Sequence, residues 1–167
     1  VSADAFGGAV YNKGVAIIAD SFFGDNYVAA TAYGEYKNET YYWYDDEDNE
    51  HEYKDSHYYG DARVEGGAVY ASGRTTISGS TFSGNTVSAS SYGYAQAEGG
   101  AISAGGTTTI SDSIFIGNAA STGGAISAGG TTTIENSIFA NNMGTNGGAV
   151  YIVSGTATIS GSTFTGN

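Results

Sequence analysis

The chain has 167 residues with 27 Gly, no Pro and no Cys, and it carries a formal net charge of −12. Without Cys there are neither disulfides nor thiolate metal sites. The acidic balance argues against a nucleic-acid partner, and no apolar run is long enough for a transmembrane helix. One elongated domain over residues 1–167 is expected, and the absence of Pro leaves every backbone donor free to join a strand ladder.

In chain order, five Gly-Gly-Ala-apolar tetrads begin at Gly7, Gly66, Gly99, Gly123 and Gly147, and each is followed 16 or 17 residues later by Phe-x-x-Asn. The partners run from Phe23 to Asn26, Phe82 to Asn85, Phe115 to Asn118, Phe139 to Asn142 and Phe164 to Asn167. A fixed internal period marks a unit that buries its apolar face only by stacking on copies of itself. The base period is 24, and the third copy shows what it contains. Ala101-Ile102-Ser103 reads as a strand, Gly106 as a turn and Thr107 to Ile110 as a second strand. Ser111-Asp112 turns, and Ser113 to Phe115 is a third strand. No 3.6-residue apolar stripe competes with this pattern, so the expected fold is all-β: a three-sided parallel β-solenoid of five rungs of about 24 residues.

Stacking at the ~4.8 Å strand spacing would place equal offsets above one another. Ile18, Ile77, Ile110, Ile134 and Ile159 then form one interior ladder, and Phe23, Phe82, Phe115, Phe139 and Phe164 another. Ser21, Ser80, Ser113, Ser137 and Ser162 share the inward face, two residues before each Phe. The Asn of each Phe-x-x-Asn is expected as an amide ladder at the turn, each side chain bonding its neighbours or the exposed turn backbone. Asp20 and Asp112 share an offset with Gly79, Asn136 and Gly161, a set that suits a tight turn with left-handed backbone and gives those carboxylates a structural role.

Two insertions interrupt the rungs at one corner. Residues 27–65 stand where short rungs have four residues, and they hold 11 of the 17 acidic residues, nine of the 14 Tyr and the only Trp. Residues 86–98 form a shorter insertion at the same point of the next rung, so the two should pack side by side. The candidate recognition or assembly residues are Tyr36, Tyr41, Tyr42, Trp43, Tyr44, Tyr53, Tyr58 and Tyr59 of the first insertion, with Tyr92 and Tyr94 of the second. They flank an acidic tip and read as a β-hairpin or two extended arms. Tyr combines a rigid contact area with a polar end, which suits recognition, but the same rings could simply cover the solenoid flank and pair across strands. Both readings stand at this point.

Other chemistry finds little support. No paired acid and base, no basic cluster for a uronate and no Ser-His-Asp set appears, so no catalytic residue is assigned and no enzyme is expected. Asp45, Asp46, Glu47, Asp48 and Glu50 are hard oxygen donors, which makes calcium the one candidate cofactor. They lack the EF-hand spacing, and a solvated acidic tip is the competing reading. His51 and His57 are isolated, and Asn38-Glu39-Thr40 is a lone glycosylation sequon. Outward Thr-x-Thr pairs at Thr107/Thr109, Thr131/Thr133 and Thr156/Thr158 resemble ice-binding arrays, but Arg74 with Thr76 and Val15 with Ile17 interrupt them.

The pairing of Gly-Gly-Ala-Ile/Val with Phe-x-x-Asn resembles the repeat of chlamydial polymorphic outer-membrane proteins and of related autotransporter adhesin passengers. It covers all five rungs but not the Tyr-rich insertion. The resemblance implies a right-handed β-helix, an extracellular or cell-surface location and an adhesive or surface-structural role. The expected function is a non-enzymatic adhesin-type scaffold displaying the insertion to a host or neighbouring-cell surface protein or glycan. The alternative is a filament subunit that binds copies of itself through the solenoid ends, since Asn167 could be followed in register by Val1 of another copy. A polysaccharide-active β-helix enzyme is a minor alternative. With no initiating Met or signal peptide visible, a mature product or a piece of a longer chain is expected.

Overall fold

The computed structural model describes residues 2–32, 35–44, 50–91 and 93–167, with backbone alone for 35–44 and 50–59. The described residues contain strands and no helix. Three five-stranded parallel sheets make three faces, each receiving one short strand per rung. The first face stacks Val10–Asn12, Val69–Ala71, Ile102–Ala104, Ile126–Ala128 and Val150–Ile152. The second stacks Ala16–Ala19, Thr75–Ser78, Thr108–Ser111, Thr131–Glu135 and Thr156–Ser160. The third stacks Phe22–Gly24, Thr81–Ser83, Ile114–Ile116, Ile138–Ala140 and Thr163–Thr165. The expected strands of the third rung are present, offset by a residue.

The interior is built as columns. Ile18, Ile77, Ile110, Ile134 and Ile159 are in register, as are the five Phe. The Phe rings stack face to face with centroids 4.7–4.9 Å apart and planes within 5°. That spacing is the rung pitch itself, so the backbone ladder and the ring stack share one repeat. Phe82, Phe115 and Phe139 are wholly buried. Thr75, Thr108 and Thr132 fill a further interior column, a polar stripe beside the Ile ladder.

The Asn ladder takes the first of its two expected forms, each side chain bonding its neighbours, and it does so in the interior. Asn85, Asn118 and Asn142 lie in the interior, not on an exposed turn. Asn118 Nδ2 donates to Asn142 Oδ1 at 2.9 Å and to the Phe82 carbonyl at 3.0 Å. Its Oδ1 accepts from the Asn85 side chain and backbone N–H at 2.9 and 3.0 Å. The same set repeats from Asn26 through Asn167, so each amide is satisfied by its neighbours one rung away. Ser80, Ser113 and Ser137 form a parallel chain, each accepting the backbone N–H of the Ser one rung earlier.

Turn chemistry follows the sequence. Asp20, Gly79, Asp112, Asn136 and Gly161 all adopt positive φ between 47° and 58°. In the tetrads the two glycines do separate jobs. Gly99 has φ +64°, while a Cβ on Gly100 would lie 2.0 Å from the Gly124 carbonyl oxygen of the next rung.

The insertions do not leave the solenoid as whole segments. Tyr27–Ala32 pairs in parallel with Thr86–Ser91, and Asp61–Glu65 lies between Ser2–Phe6 and Ala95–Glu98. These two small sheets face one another across a second core of Ala30, Ala32, Ala62, Val64, Val87 and Ala97. Among the described residues, only Glu35–Tyr44 and Glu50–Tyr59 depart from the stack, as an antiparallel hairpin. In the short rungs the side sheets dwindle to single bridges, such as Glu98 to Thr122 and Thr122 to Asn146.

Phe115→Ala opens a cavity inside the ring stack and is expected to cost about 3–5 kcal/mol in denaturant unfolding. Asn118→Ala orphans two donors of Asn85 and the Phe82 carbonyl, and should cost about 3 kcal/mol although it removes little volume. A near-zero effect of either would show that its ladder does not hold the rungs together.

Candidate functional site

The hairpin carries most of the aromatic residues singled out from the sequence. Its register sets Tyr36 opposite Tyr58, Tyr41 opposite Tyr53, Tyr42 opposite Glu52, Trp43 opposite His51 and Tyr44 opposite Glu50, with Glu35 opposite Tyr59. The side chains of these residues lie outside the described part of the structure, as do Tyr92 and the acidic-tip residues Asp45, Asp46, Glu47 and Asp48. Glu50 is described by its backbone alone. Tyr94 is exposed, and its backbone N–H donates to Asp61 Oδ1 at 3.0 Å, tying the shorter insertion to the longer one. Among the described residues no group of three or more His, Asp or Glu is disposed to hold a metal ion.

A second feature lies beside this corner and was not singled out from the sequence. The last residues of the two insertions, Glu65 and Glu98, are in register on neighbouring rungs, and both are buried. Each precedes a Gly-Gly-Ala tetrad, whose left-handed first Gly turns the chain sharply and brings the first solenoid face up against the carboxylate. Ser103 Oγ donates to Glu65 Oε2 at 2.9 Å, and Ser127 Oγ donates to Glu98 Oε2 at 3.1 Å. Gln96 Nε2 donates to Glu98 Oε1. The half-exposed Arg63 guanidinium forms an ion pair with Glu65 Oε1.

Arg63, Glu65, Glu98, Ser103 and Ser127 line an open notch of about 260 Å³, together with Tyr70, Ala104, Gly105, Gly129, Val153 and Ser154. The notch exists because one register column changes size along the axis. It reads Tyr11, Tyr70, Ser103, Ser127, Tyr151, so two serines leave a gap two rungs tall between tyrosines. Tyr11 stacks on Tyr70 with centroids 5.2 Å apart and planes 12° from parallel, and Phe6 leans on Tyr70 at 5.0 Å. The sequence signal was Glu in place of the Phe6, Thr122 and Asn146 found at that offset in other rungs. It was hidden because both glutamates fell at the ends of segments read as insertions. A second cavity is the open end of the interior at the last rung, lined by Val150, Ile159 and Phe164.

Burial is the chief cause that pushes the Glu65 carboxyl above its ordinary value of 4.5; the Ser103 hydrogen bond and Arg63 oppose it, and the Glu98 charge adds to it. Burial, followed by the Glu65 and Tyr11 charges, likewise raises the Tyr70 hydroxyl. The sign for stability follows from proton binding. The unfolded chain releases the Glu65 proton at the ordinary value and the folded chain releases it higher. Between the two the folded state holds more protons, and stability falls as pH rises. Glu65→Gln removes this dependence. Urea melts at steps from below pH 4.5 to neutrality should therefore show the wild type losing stability relative to the variant. A constant difference would mean that the carboxyl is not shifted.

A family model described as the Chlamydia polymorphic membrane protein repeat matches residues 79–105. That span runs from the turn before the second Phe-x-x-Asn through the third Gly-Gly-Ala tetrad, and it includes Glu98 and Ser103. Neither the curated proteins nor the solved structures gave a match.

Proposed function

We propose that this chain is a non-enzymatic, surface-exposed β-solenoid of the adhesin type, in which the stacked rungs are a scaffold and the hairpin corner is the recognition element. The observation that carries this reading is the hairpin itself. Two antiparallel strands of ten residues leave a stack whose parallel strands have three to six. Segments that depart from a rigid repeat are where such folds place binding surfaces. The kinship of the repeat with a surface-protein family supports an extracellular or cell-surface location, and the Tyr-rich, acidic composition of the hairpin suits a surface protein or glycan as partner. The Asp residues on the rungs serve turns and the two buried glutamates are met by neutral donors and one arginine, which favours a non-catalytic role.

The second insertion shows how to remove the hairpin without disturbing the side lobe. Ser91-Tyr92-Gly93-Tyr94 connects its two strands, with Ser91 in register with Ala32 and Gly93 N–H donating to the Gly60 carbonyl. Deleting residues 34–59 leaves Ala32-Tyr33-Gly60-Asp61, a connection of the same length. The deletion variant should melt within a few degrees of the parent and lose most of its attachment to cultured host cells or immobilised glycans. Attachment at the parental level would remove the hairpin from the functional account.

A further inference from the structure

Each Gly-Gly-Ala tetrad is entered through one residue at a fixed offset, and in register those residues read Phe6, Glu65, Glu98, Thr122 and Asn146. Asn146 is the only Asn of the chain that is followed by Gly. In that dipeptide the side-chain amide is most open to the next backbone nitrogen, because Gly has no Cβ to obstruct the approach and turns freely. The fold also requires the glycine. Gly147 has φ +65°, and a Cβ there would lie 2.4 Å from the Val150 carbonyl oxygen.

The ladders shield the other rung amides. Asn85, Asn118 and Asn142 commit their side chains to the amide column. The N–H that follows each is bonded across the rungs, Thr86 to the Asn26 carbonyl, Ala119 to that of Asn85 and Met143 to that of Asn118. Asn136 is followed by Ser137, whose N–H donates to Ser162 Oγ at 3.1 Å, and Asn141 by Asn142, whose N–H donates to Asn167 Oδ1 at 2.9 Å. Asn146 differs on each count. It is exposed, and among the described residues Gly147 N–H meets no acceptor. The peptide joining them is held on one side only, where Gly123 N–H donates to the Asn146 carbonyl at 2.8 Å. One rung earlier the equivalent peptide is held on both sides, since the Thr122 carbonyl accepts from Gly99 while Gly123 donates.

We propose that Asn146–Gly147 is a self-modifying site, at which the folded chain converts the amide to aspartate and isoaspartate. Rotation of the peptide, at the loss of that one hydrogen bond, brings the Gly147 nitrogen to Asn146 Cγ. The nitrogen gives its proton to solvent hydroxide and attacks. The N–Cγ bond forms, the Cγ–Nδ2 bond breaks, and Nδ2 takes a proton from water and leaves as ammonia. Water then opens the five-membered imide: cleavage at Cγ gives aspartate, and cleavage at the backbone carbonyl carbon gives isoaspartate with a main chain one methylene longer. Either product adds a negative charge at the offset held by Glu65 and Glu98 in other rungs. The extra methylene falls between Asn142 and Gly147, in the interval whose length already ranges from four residues to 39, so the stack keeps the product folded.

The full chain is aged in mildly alkaline buffer, both folded and in urea, and its Asn peptides are followed by mass spectrometry, with methylation by isoaspartate methyltransferase as a second readout. In the folded chain Asn146 should yield both products, no more than about tenfold slower than in urea, the weight of one hydrogen bond. Asn85, Asn118, Asn136, Asn141 and Asn142 should stay amidated. Thr122→Asn sets the same dipeptide one rung inward, where it should react at least about tenfold more slowly than Asn146. Asn146→Thr, which copies Thr122, should remove the product from this peptide and melt with the parent. A stable Asn146 in the folded chain, aspartate without isoaspartate, or equal rates at both positions of the Thr122→Asn variant would each overturn the assignment. Should that variant fold poorly, product at Asn136 or Asn141 as fast as at Asn146 in the parent would overturn it as well.

Discussion

The whole molecule depends on one constraint, the locked register between rungs. A Phe ring stacks on the next at 4.7–4.9 Å only if the two backbones are hydrogen-bonded at the same spacing. The buried Asn amides impose the same condition more strictly. Each oxygen accepts two bonds from one neighbouring rung, and each nitrogen donates once to either side. A slip of one residue would leave four polar groups buried and unpaired, each worth roughly 1–3 kcal/mol. Hydrophobic stacking supplies the cohesion, and the amide column makes it specific to a single alignment.

This constraint decides where the chain can vary. Between Gly-Gly-Ala and Phe-x-x-Asn every residue belongs to a column, and the spacing changes only from 16 to 17 across five copies. Between the Asn and the next tetrad the chain is free, and the length ranges from four residues to 39. Both insertions, the side lobe, the hairpin and the two glutamates all lie in or at the end of that free interval. The segment is fixed at both ends, by a buried Asn and by a left-handed Gly. Whatever is added there is held on a rigid base at a defined corner.

Much of the solenoid was legible in the sequence because its physics is periodic. The Phe and Ile columns follow from equal offsets, and Asp20 and Asp112 declare their left-handed turns by sharing a position with Gly79 and Gly161. The Asn column was legible as a ladder but not as a buried one. An isolated Asn after a turn residue suggests an exposed cap, and only the stacked copies supply the partners that let it go inside. The side lobe was masked by its neighbours. Val28, Ala30 and Ala32 alternate with Tyr27, Ala29 and Thr31 as a half-buried strand should, yet they open a segment dominated by Tyr and acidic residues. The notch could not be read at all from one rung. It arises from Glu at two copies of one offset facing Ser at two copies of another, with Tyr70 beneath.

The placement of charge follows from the same register. A column of identical ionised side chains at the strand spacing would oppose the stacking that makes the fold, so an acidic chain of this kind must concentrate its charge away from the columns. Of the net −12, residues 27–65 carry −8. Where acids remain on the rungs they are separated by uncharged residues, as Asp20 and Asp112 are by Gly79. Glu65 and Glu98 are the exception. They are kept at adjacent positions, desolvated and supplied with a serine each. Their repulsion is offset locally by the Ser103 and Ser127 hydroxyls, the Gln96 amide and the Arg63 guanidinium, so the register holds across the one parallel position, among the described strands, where like charges meet.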